Sequence, residues 1–247
     1  MRKKSTHFIW IILFVTLAAA AGYSLLRMLN KPEPPPADRA SISVVLDDNY
    51  PPYIFRDAEG DLQGILVDQW ALWSEKTGVK ANLYAMDWAD ALSGMRAGRY
   101  DVIDTAFQNE ERETWLDFSS PYVNIDVPIF HSNKIGGITD AKSIINFTVA
   151  VKAGDACIPI LREAGVSAIE EYPSYEAVID AAKQGDVSVV VVAEPAAPYF
   201  LYQKGIADEF SRSQSLYSGQ FHRAVKKGDA DMLALLEQGF SRISPDE

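Results

Sequence analysis

The chain has 247 residues, 23 Lys and Arg against 34 Asp and Glu, a formal net charge of −11, and 48% hydrophobic residues. That length holds one large domain or two small ones with a sizeable core, and so acidic a surface excludes nucleic acid as a partner. A single cysteine, Cys157, excludes an intrachain disulfide and clustered-thiolate zinc sites, and three scattered histidines (His7, His131 and His222) give a metal site little support.

Residues 1–31 differ from the rest: they hold five of the basic residues and none of the acidic ones, which leaves 18 basic against 34 acidic residues and a net charge of −16 beyond them. MRKKSTH is followed by the apolar run Phe8–Leu29, interrupted only by Thr16, Tyr23, Ser24 and Arg27. Positive charge before a membrane-length segment keeps the amino end in the cytoplasm. A cleaved signal peptide would use Phe8–Leu17 and the Ala18–Ala21 patch; an uncleaved anchor would use the whole run, and its apolar character past the alanines favours the anchor. Either way the remainder lies outside the cytoplasm. KPEPPPA (31–37) reads as a stiff proline-rich spacer, and residues 32–40 as the linker to the domain.

The fold is expected to begin near Ser41, with SISVVL (41–46) as a strand and DDNYPPY as a turn-rich loop. Gly64 to Lys76 reads as a helix stopped by Gly78. Lys80–Met86 alternates as a strand, Asp87 caps a helix reaching Ala97, and Asp101–Ile103 is the next strand. After a short polar turn a helix opens at Asn109 and carries Arg112 in its first turn. A cation there opposes the helix dipole, so Arg112 is poorly explained as a helix stabiliser and better as a guanidinium beside free N–H groups, suited to gripping a carboxylate. The competing reading pairs it in solvent with Glu110, Glu111 or Glu113.

Tyr122–His131 is an extended connector, after which the rhythm repeats: a strand at Phe147–Val151, a helix at Ala156–Ala164, a strand at Ala168–Tyr172, a helix from Ser174 to Gln184, and a doubly buried strand at Val187–Val192. Helices at Glu194–Lys204 and Asp229–Ile243 flank a return path over Leu216–Val225. Alternating strands and helices predict an α/β protein with mainly parallel sheets in two lobes. The first lobe is expected over 41–125 plus 220–247, the second over 126–219. Ligands of such sheets bind at the carboxyl ends of strands, here loops 47–53, 86–88, 104–112, 153–156 and 193–195.

From Ser41 onward the chain resembles the bacterial extracellular solute-binding proteins of the polar amino-acid type (family 3), the two-lobed periplasmic-binding-protein-like, type II "Venus flytrap" fold. The resemblance rests on Asp47 with Tyr50-Pro51-Pro52-Tyr53, on Gly64-Ile65-Leu66-Val67-Asp68, on Asp101 through Arg112, on Asp117-Phe118-Ser119-Ser120-Pro121-Tyr122, and on Val149–Gly154. It implies two lobes closing on a small ligand, with Arg112 taking its carboxylate, Tyr50 and Trp88 packing on its body, and Asp47 meeting a polar tail. The competing readings are core packing for the aromatics and a turn-forming carboxylate for Asp47.

The sequence departs from the family pattern in the ligand's surroundings. The segment before Arg112 is one residue shorter, and its usual small hydroxyl residues appear as Thr105, Ala106 and Gln108. Asp155 stands where Thr or Ser is usual, and the acidic ammonium anchor aligns with Ala193, followed by Glu194. Asp155 or Glu194 is therefore expected to replace the anchor, although Asp155 also suits simple N-capping of the next helix. Asp47, Asp104, Asp155 and Glu194 together would make the cleft acidic and favour arginine over glutamate.

GDACIPIL (154–161), AEPAAPYFLYQKG (193–205) and GQFHRAVKKGD (219–229) resemble the sensor version of the fold, found in membrane signalling proteins such as diguanylate cyclases and histidine kinases. His222 and Arg223 in the last stretch also read as a structural pair at a strand end. The expected function is an extracytoplasmic ligand-sensing domain of such a receptor. A longer receptor is expected beyond Glu247, and any output enzyme, including one for c-di-GMP signalling, would lie there. The expected partners are a small-molecule ligand (an amino acid or related carboxylate) and the inner membrane, with a receptor homodimer as an open alternative and no cofactor. A transport receptor for an amino-acid permease and a cyclohexadienyl dehydratase-like enzyme remain as alternatives.

Overall fold

A computed structural model describes residues 39–247. The expected anchor and the whole proline-rich spacer (31–37) lie outside the described residues, and no helix among those described is long and apolar enough to cross a membrane.

In the first lobe β1 (Ser41–Asp47) lies between β5 (Lys80–Met86) and β6 (Val102–Phe107), parallel to both. Its side chains alternate faces. Val44 and Leu46 join a core shared with helix α1 (Ile65–Thr77) and helix α7 (Ala230–Phe240), whereas Val45 packs against helix α2 (Trp88–Arg96) with Ala91 and Met95. Helix α1 buries Leu66, Trp70 and Trp73, a spacing that places all three on one face, and Gly78 ends it in the left-handed conformation, as expected. A small antiparallel sheet of β2 (Asn49–Tyr50), β3 (Ile54–Arg56) and β4 (Leu62–Gln63) occupies the loop after β1.

The second lobe is built on β9 (Val149–Lys152), β10 (Ile169–Tyr172) and β11 (Val189–Val191), with helices α4 (Cys157–Glu163), α5 (Tyr175–Gln184) and α6 (Ala196–Gln203). β9 is parallel to both of its neighbours.

Two long antiparallel strands join the lobes: β8 (Val123–Ser132) and β12 (Phe210–Lys226). β8 pairs with β11 on the second lobe's side, and β12 pairs with β6 and with β7 (Leu116–Phe118) on the first. The strand order β10-β9-β11-β8-β12-β6-β1-β5 therefore makes one mixed sheet that passes through both lobes. The expected connector is β8, and the expected return path is the latter half of β12.

Some boundaries differ from expectation. The strand expected at Asp101–Ile103 runs on through Phe107 instead of breaking into a polar turn. Asp104 can stay inside it because its carboxylate is satisfied internally. Trp70 Nε1 donates to Oδ2 at 2.7 Å, Tyr122 Oη and the Thr105 N–H each donate to Oδ1 at 2.7 Å, and Arg223 Nε lies 3.5 Å away. Arg223 in turn stacks on Phe240, 3.3 Å from the ring centre, and on Tyr122 at 4.2 Å. His222 Nδ1 is 2.7 Å from the Ser119 carbonyl. The His222–Arg223 pair is thus held by the scaffold, and Asp104 belongs to it too and not to an acidic cleft wall. At β11 only Val189–Val191 pairs as strand out of the valine-rich run.

Two substitutions test this packing by urea unfolding. Asp104→Ala strands the buried Arg223 charge and is expected to cost about 3–5 kcal/mol. At Gly239 a Cβ would lie 2.0 Å from Trp73 Nε1, so Gly239→Ala should lose roughly 1–3 kcal/mol through overpacking. An unchanged midpoint in either variant contradicts the packing described.

Candidate ligand site between the lobes

The carboxyl ends of the parallel strands and the loops that follow them face the junction of the lobes. β1 ends in Asp47, β6 carries Thr105 and Phe107, and β9 ends in Lys152, followed by the loop bearing Asp155. Tyr50 comes from β2, Trp88 opens α2, Arg112 lies in the four-residue helix α3 (Glu110–Glu113), and Tyr175 opens α5. Together with Ala156 and Phe221 these residues enclose a cavity of about 20 Å³, room for about one water molecule. The lobes are closed, so a ligand enters only when they part. Arg112 and Asp155 also border a more open groove of about 420 Å³ between α2 and α4.

Asn109 caps α3, its Oδ1 accepting from the Arg112 N–H at 2.8 Å, as the sequence predicts. This cap turns the Arg112 side chain inward, where it is 4% exposed. Its guanidinium donates to the Phe107 carbonyl at 2.8 Å and, across the lobes, to the Gly154 carbonyl at 3.0 Å. No glutamate pairs with it: Glu111 contacts Arg96 and Glu113 accepts from Gln108. Burial pushes the Arg112 guanidinium down from its ordinary range, and the nearby Asp155 opposes that push. Among the described residues this buried cation is hydrogen-bonded only to carbonyls.

The first lobe's Trp88 also donates Nε1 to the Gly154 carbonyl, at 3.2 Å. Gly154 has φ +73°, and a Cβ there would sit 3.0 Å from Leu92. Glycine thus suits both the left-handed turn and the close approach of the lobes.

Lys152 was not expected at the site. It is 2% exposed, and its ammonium forms an ion pair with Asp47 of the opposite lobe. The ammonium also lies over the rings of Tyr175 (3.9 Å), Tyr50 (5.1 Å) and Trp88 (5.7 Å). The available signal was a lone lysine ending an otherwise apolar strand, VAVK, at the edge where ligands bind. Tyr175, Phe107 and Phe221 were missed as well, because an aromatic in a periodic segment reads first as core.

Six expected residues, Asp47, Tyr50, Trp88, Thr105, Arg112 and Asp155, line the cavity. Several keep their structural duty too. Asp47 Oδ1 accepts from the Asn49 N–H at 3.0 Å, and Asp155 accepts from the Cys157 N–H at 3.0 Å and from Tyr175 Oη at 2.6 Å. Thr105, at φ +59°, spends its hydroxyl proton on the Asp104 carbonyl at 2.6 Å. The other two expected residues do not reach the site. Gln108 is exposed and bonds Glu113 at 2.6 Å; Glu194 is bound by Arg212, Nε to Oε1 2.5 Å. Glu194 therefore does not serve as the ammonium anchor, and with Asp47 neutralised by Lys152 the cleft is not the acidic one expected.

The phenols of Tyr50, Tyr175 and Tyr217 are held well above their ordinary range, by burial first and by Asp155 second, so all three keep their protons. The Tyr50 and Tyr217 hydroxyls are buried without a hydrogen-bond partner among the described residues.

The sequence matches the model of the bacterial extracellular solute-binding proteins, family 3, over residues 42–247. The L-cystine-binding protein TcyJ of Escherichia coli (strain K12) is 25% identical, the match covering 94% of this chain and 88% of that protein. The virulence sensor protein BvgS of Bordetella pertussis is 25% identical over 85% of this chain. The chain spans only 17% of the length of BvgS. A histidine kinase sensor domain with similarity to periplasmic binding proteins superimposes with a TM-score of 0.77 at 23% identity, covering 83% of this chain and 90% of that one. The chain therefore belongs to the bacterial extracellular solute-binding proteins, family 3, a ligand-binding and non-catalytic family.

Proposed function

We propose that residues 39–247 form the extracytoplasmic ligand-sensing domain of a membrane signalling receptor of the diguanylate cyclase or histidine kinase type. The domain binds a small amino acid or related carboxylate between its lobes, and closure is the signal. The observation that carries this reading is the buried, carbonyl-bonded Arg112 guanidinium facing the opposite lobe. Ligand carboxylate exchanges with the Gly154 carbonyl for one edge of the guanidinium fork. Because closure brings both lobes onto the same small set of groups, the closed state binds the ligand more tightly than the open one, which is the condition for a shift in population. The likeness to BvgS and to a histidine kinase sensor domain supports the sensor role.

In this reading the chain sits at the inner membrane on a single anchor, Phe8–Leu29, with the ligand domain periplasmic. The expectation of arginine is not carried forward, since three of the four carboxylates behind it are already matched by cations: Asp47 by Lys152, Asp104 by Arg223 and Glu194 by Arg212. A transport receptor is the second reading, favoured by a match that covers most of TcyJ.

Two measurements test these statements. In a thermal-shift screen of the full chain against amino acids and small carboxylates, a ligand at 100 times its Kd adds about 2.7 kcal/mol of stability. Arg112→Ala is expected to remove the shift of the strongest hit, and an unchanged affinity refutes the carboxylate role. Amino-terminal sequencing of the protein from washed membranes should find the Phe8–Leu29 segment intact; a soluble protein cut near Ala18–Ala21 would instead support the transport receptor.

A further inference from the structure

We propose that Lys152 is a built-in occupant of the cation position of this cleft, so that the site takes small carboxylates with an uncharged body and turns away basic amino acids and other cationic ligands. The inference rests on the reading of Arg112 as the carboxylate seat and adds the nature of the rest of the ligand.

Three aromatic rings from both lobes surround one point: Tyr50 and Trp88 from the first, Tyr175 from the second. Such a cluster of ring faces is a receptor for an ammonium or guanidinium group. Here the point is taken by the Lys152 ammonium, 3.9 Å from the centre of the Tyr175 ring and within 5.7 Å of the other two. It is fixed further by the ion pair to Asp47, itself 1% exposed. A cationic side chain arriving from solvent would have to displace Lys152 from the rings and from Asp47. The displaced ammonium would then be buried without a partner, which is among the most costly arrangements in a protein.

Charge bookkeeping in the cavity leads to the same ligand class. Asp47 and Asp155 face Arg112 and Lys152 around the cavity, two charges of each sign. A carboxylate entering at Arg112 meets a guanidinium held only by carbonyls. A second positive charge on the ligand's body finds no free carboxylate, because Asp47 is engaged by Lys152. An α-ammonium is compatible with the site, since the Asp155 carboxylate, which accepts from the Cys157 N–H and from Tyr175 Oη, also lines the cavity. The distinction drawn by Lys152 is therefore in the side chain: uncharged is accepted, cationic is not.

Isothermal titration of the full chain in a nonionic detergent decides this with four probes. Butyrate and L-norvaline carry a carboxylate and an uncharged body, L-arginine adds a cationic tail, and tetramethylammonium is a cation with no carboxylate. Wild type is expected to bind L-norvaline or butyrate at least tenfold more tightly than L-arginine and to give no heat with tetramethylammonium. In Lys152→Met the vacated rings should bring a gain of at least tenfold for both L-arginine and tetramethylammonium. The double variant Lys152→Met with Asp47→Asn removes the carboxylate that loss of Lys152 strands and should keep a gain for tetramethylammonium if the single variant is too unstable to titrate. Wild type binding L-arginine as tightly as L-norvaline, or neither variant gaining affinity for tetramethylammonium, overturns the proposal. If wild type binds no carboxylate probe at all, the Arg112 reading fails, and the tetramethylammonium gain by itself then decides whether Lys152 fills the cation position.

Discussion

Burial of charge at the meeting of the lobes is the constraint around which the rest of this molecule is arranged. Asp47, Arg112, Lys152 and Asp155 are all at least nine-tenths buried. Ions cannot be taken from water so completely unless each finds a partner of good geometry. Some of the partners come from the other lobe: Lys152 reaches Asp47, and Arg112, like the neighbouring Trp88, reaches the carbonyl of Gly154. The second lobe's Glu176 N–H likewise donates to Asn49 Oδ1 of the first, at 2.9 Å. Closure and the satisfaction of buried charge are therefore one event. An open form would return these groups to water, and anything that enters must replace the partners it separates.

The scaffold explains why these residues can meet. Within each lobe the parallel strands present their carboxyl ends to one edge, and Asp47 at the end of β1 and Lys152 at the end of β9 meet from opposite lobes. The buried Asp104–Arg223 pair lies at the first-lobe ends of the two joining strands. Tyr122, which donates to Asp104, directly precedes β8, and Arg223 belongs to β12. That buried network ties the root of both strands to the first lobe. Further along their pairing the register shifts between Arg212 and Tyr217.

Much of this was legible in the sequence where the signal is local. Gly78 ended a helix, Asn109 capped one, and the alternation of strands and helices gave an α/β fold. Arg112 stood out because its charge conflicts with its place in a helix. What could not be read was pairing between distant segments. Nothing near Lys152 announces Asp47, which lies 105 residues earlier. Nothing near Glu194 announces Arg212, which claims it. Counting acidic residues in loops thus predicted an acidic cleft, whereas long-range ion pairs neutralise most of it. Asp104 shows the same limit: a carboxylate within an otherwise buried strand reads as the start of a turn unless Trp70, Tyr122 and Arg223 are known to surround it.

The packing of α7 on α1 has a mechanical consequence. Phe240 lies against Trp70 and Trp73, and Gly239 lets the helices approach. The last helix is thereby part of the same body as β1, where the described chain begins. Lobe two hangs from that body on two strands like a cantilever, with no other covalent attachment. A force applied at either end of the described chain is borne by the first lobe alone and cannot pry the cleft open directly. Movement of the second lobe reaches those ends only as a torque at the root of β8 and β12. The stiffness of that root therefore sets how much of the closure is transmitted.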